Sequence, residues 1–125
     1  MKNYQTAELG TMAAIAEREF GKAFLKDELG LTGCEISVNV VPQGFKMPFN
    51  HKHKQNEEVY LVLKGEGALT VDGDRIAVTE GSAVRVAPEA VRAIENTGGG
   101  ELQFICVQAK ENSLEQCTHD DGVIC

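Results

Sequence analysis

From residue 33 onward, apolar positions recur in short alternating runs rather than at helical spacing. Ile36, Val38 and Val40 alternate with Glu35, Ser37 and Asn39, so residues 34–41 read as a strand with one apolar and one polar face, ended by Pro42-Gln43-Gly44. Val59, Tyr60, Leu61, Val62 and Leu63 form an unbroken apolar run, which predicts a buried strand over 58–64 stopped by Gly65 and Gly67. Shorter strands are expected at 67–71, 75–78, 82–86 and 92–96, and a longer one at 102–109. Asp72-Gly73 has the residue types of a hairpin turn, Glu80-Gly81 marks a second turn, and Thr97 with the glycines after it marks a loop. Short strands at regular spacing are the signature of an all-β sandwich or barrel. Ahead of them, 11–20 reads as a short helix capped by Thr11 or as an irregular arm, 23–25 is a brief apolar run, and 26–29 is a turn of helix closed by Gly30. The chain divides into an arm (1–32), one β domain (33–109) and a polar tail (110–125), with no internal repeat.

The chemistry-bearing stretch is GFKMPFNHKHKQNEEVYLVLKGEG, residues 44–67. His51 and His53 stand two apart; in a strand such residues share a face, so one strand would deliver both imidazoles together and leave Lys52 and Lys54 to solvent. Glu57 and Glu58 open the next strand. Imidazole nitrogen and carboxylate oxygen are ordinary ligands for Zn, Fe, Mn, Ni or Cu. The plain alternative is two surface histidines and a glutamate paired with a lysine. An inward Glu58 brings Tyr60 and Val62 to the same side, as cavity lining. Gln55 and Asn56 either orient a ligand or form a polar turn. Met47, Phe49 and Ile94 read as core rather than as the apolar mouth of a pocket. Gly65-x-Gly67 lacks the following helix of a phosphate loop, and no serine occupies a nucleophile elbow. Cys117-x-His119 is a lone terminal half-site, short of the four ligands structural zinc takes.

The run Gly44, His51-x-His53-x4-Glu58-x6-Gly65 resembles the first motif of the cupin superfamily, Gly-x5-His-x-His-x3–4-Glu-x6-Gly, with one additional residue between Gly44 and His51. The second motif, Gly-x5-Pro-x-Gly-x2-His-x3-Asn, overlays residues 81–96: Gly81 and Asn96 match, while Ala87 stands for the proline, Glu89 for the glycine and Arg92 for the histidine. The resemblance covers residues 33–109 and is to the small single-domain cupins. It implies an antiparallel double-stranded β-helix, a jelly-roll-type barrel closed or nearly closed on itself. It also implies metal ligands at His51, His53 and Glu58, choosing Glu58 over Glu57 by its distance from Gly65.

Arg92 departs from that pattern. A guanidinium stays protonated and offers a metal no lone pair, so two histidines and one carboxylate remain. Such a set leaves coordination positions open, as in non-haem Fe(II) oxygenases. A fixed cation beside a divalent ion is repulsive unless an anion lies between them, and arginine grips a carboxylate or phosphate bidentately. Arg92 and Tyr60 are therefore the candidate substrate-binding and catalytic residues. In the alternative, Arg92 pairs with Glu58 or Glu89 and no metal binds. The implied function is a divalent ion (Fe, Mn, Zn or Ni) with a small anionic metabolite, bound or transformed by isomerase-like or oxygenase-like chemistry. A barrel that binds or senses a small molecule without turning it over is the other reading.

Composition narrows the partners. The 125 residues carry 42% apolar and 25% charged side chains, ordinary for one globular domain. A net charge of −7 argues against nucleic acid and against an anionic membrane surface. No apolar run approaches the roughly 18 residues of a membrane span, and the N-terminus lacks the pattern of a secretory leader, so a cytoplasmic protein is expected. Cys34 and Cys106 read as small buried hydrophobes; Cys117 and Cys125 lie in the tail, and all four are expected as reduced thiols. An exposed strand edge, with the arm and tail free to cross, predicts a homodimer.

Overall fold

A computed structural model describes residues 3–125. Among the described residues, eight antiparallel strands form two sheets, one ordered β1-β2-β8-β3-β6 and the other β5-β4-β7. In chain order the strands are β1 (Lys22–Phe24), β2 (Glu35–Val41), β3 (Asn56–Lys64), β4 (Glu66–Val71), β5 (Asp74–Thr79), β6 (Ala83–Val86), β7 (Arg92–Asn96) and β8 (Leu102–Lys110). The two sheets face each other as a jelly roll. They do not join fully into the closed or nearly closed barrel expected from the sequence, because the segment at 46–53 meets β7 through isolated bridges, Lys46 with Glu95 and His51 with Arg92. Two short helices, α1 (Met12–Ala16) and α2 (Lys26–Leu29), precede β2. Among the described residues no helix is long and apolar enough to cross a membrane.

Local signals account for the turns. Thr11 caps α1 by accepting from the Ala14 N–H at 3.2 Å, and Gly30 ends α2 in the left-handed conformation. Asp72 (φ 48°) and Gly73 (φ 88°) both take positive φ between β4 and β5, the requirement of a tight hairpin that matches strand twist.

The space between the sheets is filled by Val41, Tyr60, Val62, Leu69, Leu102 and Phe104 with their neighbours. A second, smaller cluster lies on the other side of β2, where Ile15 and Ala23 pack on Val38 and Val40. The stretch before residue 33 thus forms both a cover and an edge strand: β1 pairs with β2 through Ala23↔Val38, and α1 packs on β2's outer face. As a result β2 is buried on both sides, and its apolar face (Val38, Val40) points away from the barrel. Its polar face looks into the barrel. That orientation positions the site.

Candidate functional site

Strand register builds the floor of the cavity. In β1, β2, β8 and β3, directly opposed residues form rows across one face: Phe24, Ser37, Cys106 and Tyr60 make one, and Glu35, Gln108 and Glu58 another. Parity along β3 turns Glu58, Tyr60 and Val62 inward, all buried, while Val59 and Leu61 face out. Glu57 faces out as well and accepts from Arg85 Nε at 2.8 Å, so the inward carboxylate is Glu58. Tyr60 lines the cavity; Val62 belongs to the packed core.

His51 and His53 arrive from the facing side. They do not sit in a regular strand, contrary to the expectation from their spacing. Their extended segment is pinned to the opposite sheet by His51 N–H to Arg92 O (3.0 Å), Arg92 N–H to His51 O (2.9 Å) and His53 N–H to Pro88 O (2.9 Å). The i, i+2 parity survives, and the ring centroids are 5.3 Å apart. One ligand atom from each of His51, His53 and Glu58 falls within 4.8 Å of the others.

The donor set fits a divalent cation. His51 Nδ1 and His53 Nε2 are buried and make no hydrogen bond, although His53 Nε2 lies 3.3 Å from Glu58 Oε2. Unpaired nitrogens are costly when buried, and a cation would satisfy them. Burial lowers the His51 pKa despite the opposing pull of Glu58, which keeps the imidazole neutral, as a metal ligand must be. Glu58 is held in place by its neighbours: Tyr60 donates to Oε1 at 3.0 Å, and the Cys106 thiol lies 3.4 Å from Oε2. Burial, reinforced by the Glu58 charge, pushes both Tyr60 and Cys106 upward, so both stay protonated as donors.

Arg92 is inside the barrel but does not reach the cavity. Its side chain has 0% exposure, Nε lies 3.7 Å from Glu58 Oε1, and Nη2 donates to Ala87 O at 2.6 Å. Of the two carboxylates weighed as its partner, Glu58 is the one it meets. The cation that does line the cavity is Lys22, from β1. Burial lowers the Lys22 pKa, partly offset by Cys106 and Glu58.

The inner chamber measures about 170 Å³ and contains His51, His53, Glu58, Tyr60, Cys106 and Lys22. Outside it lies a larger space of about 640 Å³ with Phe20, Phe45, Met47 and Phe49 on its walls. Phe49, expected in the core, is 62% exposed at this mouth, because the 46–53 segment crosses the open side of the barrel instead of entering it. Ile94 is buried and lines both spaces.

Sequence reasoning missed Lys22, Ser37, Cys106 and Gln108 as cavity residues. The available signal was the polar alternation of β2: small polar side chains on a strand that must be covered on both faces mark a wet interior. Lys22 gave no signal, since only the docking of the arm brings it in. Asn56 is part of a structural contact, donating to Gln108 Oε1 at 3.0 Å. Cys117 and His119 lie in the exposed tail, apart from this site, and all four cysteines are free thiols.

Comparison with known proteins agrees with the geometry. The family model described as the cupin domain matches residues 37–108. The crystal structure of a cupin protein from Bacteroides fragilis superposes with a TM-score of 0.87 at 40% identity, covering 99% of this chain and 98% of that one. An uncharacterised protein of Methanocaldococcus jannaschii is 36% identical over 89 residues, 71% of this chain and 66% of that protein. An oxalate-binding protein of Thermotoga maritima is 33% identical over 57 residues, 46% of this chain and 47% of that protein. The chain thus spans about two thirds of the archaeal relative and about half of the Thermotoga one. With the two-sheet jelly roll and the matched domain, the chain belongs to the cupin family.

Proposed function

We propose that this protein is a metal-binding cupin that holds a small organic anion in its inner chamber. The observation that carries the reading is the pair of buried, hydrogen-bond-free imidazole nitrogens of His51 and His53 facing Glu58. His51, His53 and Glu58 would hold a divalent ion, with Tyr60 and the Cys106 thiol fixing the carboxylate's orientation. A bound ion of this kind supplies Lewis acidity and open coordination positions for an anionic group. Lys22 contributes the nearby positive charge that an anion needs, and Arg92 adds to the field from behind Glu58. The Thermotoga relative's name, an oxalate-binding protein, supports an anionic ligand.

Binding is the better-supported activity; isomerase-like or oxygenase-like turnover is the second reading. Tyr60 and Cys106 are both kept protonated and committed to Glu58, which leaves Lys22 and Glu35 as the ionisable lining groups outside the proposed ligand set. The proposed assembly is a two-fold homodimer, because β1, β6 and β5 each end a sheet with one edge that pairs with no further strand.

Metal analysis of protein purified without chelator or polyhistidine tag tests the reading. The expected result is close to one divalent ion per chain, lost in His51→Ala. Absence of metal after purification, together with no uptake of Zn²⁺, Mn²⁺ or Fe²⁺ in calorimetric titration, would overturn it.

A further inference from the structure

We infer that the ligand of this site is an organic acid with an apolar body, its anionic head at Lys22 and the histidines and its hydrocarbon part in the aromatic space outside. The inference rests on the reading of the inner chamber as an anion site, and it narrows the ligand class.

The two spaces adjoin. Lys22, Met47, His51, Ile94 and Phe104 line both, so a molecule occupying both would pass these side chains. Their chemistry differs sharply. The inner chamber is rich in charge and hydrogen-bonding groups, whereas the outer space is walled by Phe20, Phe45, Phe49, Pro42, Pro48 and Val41. Its volume of about 640 Å³ is within the range typical of small-molecule sites, which are mostly apolar with a few convergent polar groups. A dianion polar at both ends, such as oxalate, would fill the inner chamber and leave the aromatic walls wet. A protein segment plugging the outer space would meet a half-buried ammonium and unpaired imidazole nitrogens at its inner end. An amphiphilic acid satisfies both ends.

The rim is held in place at a conformational cost. Phe20 has φ 58° and ψ 14°, a left-handed conformation that side chains with a Cβ resist, and its ring is 81% exposed. Gly21 beside it approaches the β2 backbone so closely that an added Cβ would lie 2.3 Å from Val40 O. That contact fixes the chain between Phe20 at the mouth and Lys22, two residues on, at the inner chamber. An exposed aromatic kept in an unfavourable backbone state at a cavity entrance is more consistent with ligand contact than with packing.

The test is calorimetric titration of the Zn²⁺-loaded full chain with acetate, butyrate, hexanoate, octanoate and oxalate. Affinity is expected to rise about two- to fourfold per added methylene, the increment for moving a methylene out of water. Octanoate should bind tighter than oxalate. Phe20→Ser and Phe49→Ser, both at exposed positions, should flatten the slope, with thermal melting confirming that they fold. Lys22→Met should weaken every acid by a similar factor and keep the slope. A flat series, oxalate binding at least as tightly as octanoate, or a slope that survives both phenylalanine variants would overturn the inference. Light scattering on the same samples addresses a second copy as occupant: a dimer abolished by Phe49→Ser, combined with a flat series, would assign the surface to self-association and also overturn it. The underlying reading fails separately. If no Zn²⁺ binds but the metal-free chain still gives the methylene slope, the metal is lost and the apolar-acid assignment stands.

Discussion

The two ends of β7 bury polar side chains in opposite ways. At one end Asn96 is saturated: Nδ2 donates to Val41 O (3.1 Å), Pro42 O (3.0 Å) and Gly100 O (2.8 Å), while Oδ1 accepts from Gly98 N–H (3.0 Å). At the other end, four residues along the same face, Arg92 is fully buried with only Nη2 hydrogen-bonded; Nε and Nη1 have no hydrogen-bond partner. His51 Nδ1 and His53 Nε2 nearby are also unpaired. The strand thus has a structural end, where a single amide ties the end of β2 to the loop after β7, and an open end, where the protein alone leaves polar capacity unused. Buried groups without partners call for an explanation, and the proposed cation and anion would provide one at the histidines.

The largest expected effect breaks the structural end. Asn96→Ala removes the amide's bonds to Val41 O, Gly100 O and the Gly98 N–H, while Pro42 O still accepts from Phe45 N–H, and should cost about 3 kcal/mol in urea unfolding. The Zn²⁺ affinity of the folded variant should remain that of wild type.

His53→Ala should do the reverse. Stability should stay within about 1 kcal/mol of wild type, because the ring makes no side-chain hydrogen bond and the side chain as a whole is 28% exposed. Zn²⁺ affinity should fall by more than the roughly 10- to 100-fold that losing an outer-sphere partner costs. If the variant instead unfolds as easily as Asn96→Ala while its folded form binds Zn²⁺ normally, the contrast between the two ends is wrong.

Arg92 sharpens the comparison further. Arg92→His should raise Zn²⁺ affinity by roughly tenfold, or about 1.4 kcal/mol, by removing a repelling charge and adding a ligand. Arg92→Leu removes the charge alone and should gain less. Acetate bound beside the ion should strengthen Zn²⁺ binding in wild type more than in either variant, since its charge offsets the field of Arg92 from behind Glu58 as well as that of the ion. Calorimetry on the three proteins, with and without acetate, reads both effects. Equal behaviour of all three would make Arg92 a purely structural partner of Glu58.

The smallest effect is the pH response of His51. Its pKa is lowered from 6.5 in the folded chain, chiefly by burial, so protons compete with Zn²⁺ at this ligand only below the ordinary histidine range. His51's contribution to Zn²⁺ affinity should therefore hold as pH falls through 6.5 and decline only at lower pH. In the metal-free protein the unfolded chain takes up this proton first. The His51 contribution to stability is full above 6.5 and is lost as pH falls from there toward the lowered value. Comparing wild type with His51→Ala in urea titrations between pH 7.5 and pH 5, about the range over which a histidine changes charge, isolates it. A stability difference that grows with falling pH in the opposite sense would contradict the assigned burial.

Much of this was legible in the chain. Alternation and short apolar runs place β2 to β8 to within a residue or two, since one residue per side of a sheet is a local rule, whereas β1 reads only as a brief apolar run. Arg92 to Asn96 was expected as a strand and is β7; the turn at Asp72-Gly73 follows from residue type alone. The motif around His51, His53 and Glu58 brought the three together because parity and a fixed spacing survive even where the ladder does not form. Where the 46–53 segment would run was not legible: it pairs by isolated bridges, so no run of residues encodes it as a strand, and the barrel stays open beside Phe49.

Only the tertiary structure could assign faces and neighbours. The alternation over Glu35, Ile36, Ser37, Val38, Asn39 and Val40 states that two faces differ, not which is inside. Packing of Ile15 and Ala23 on Val38 and Val40 decided that, and turned the polar face toward the cavity. Lys22 and Cys106 joined the site through the β1–β2–β8–β3 pairings, which link residues more than eighty positions apart. The same long-range geometry removed Arg92 from the cavity surface while leaving it against Glu58. Residue type and spacing set what each segment can do locally; burial and apposition, which depend on the whole chain at once, determined which groups meet.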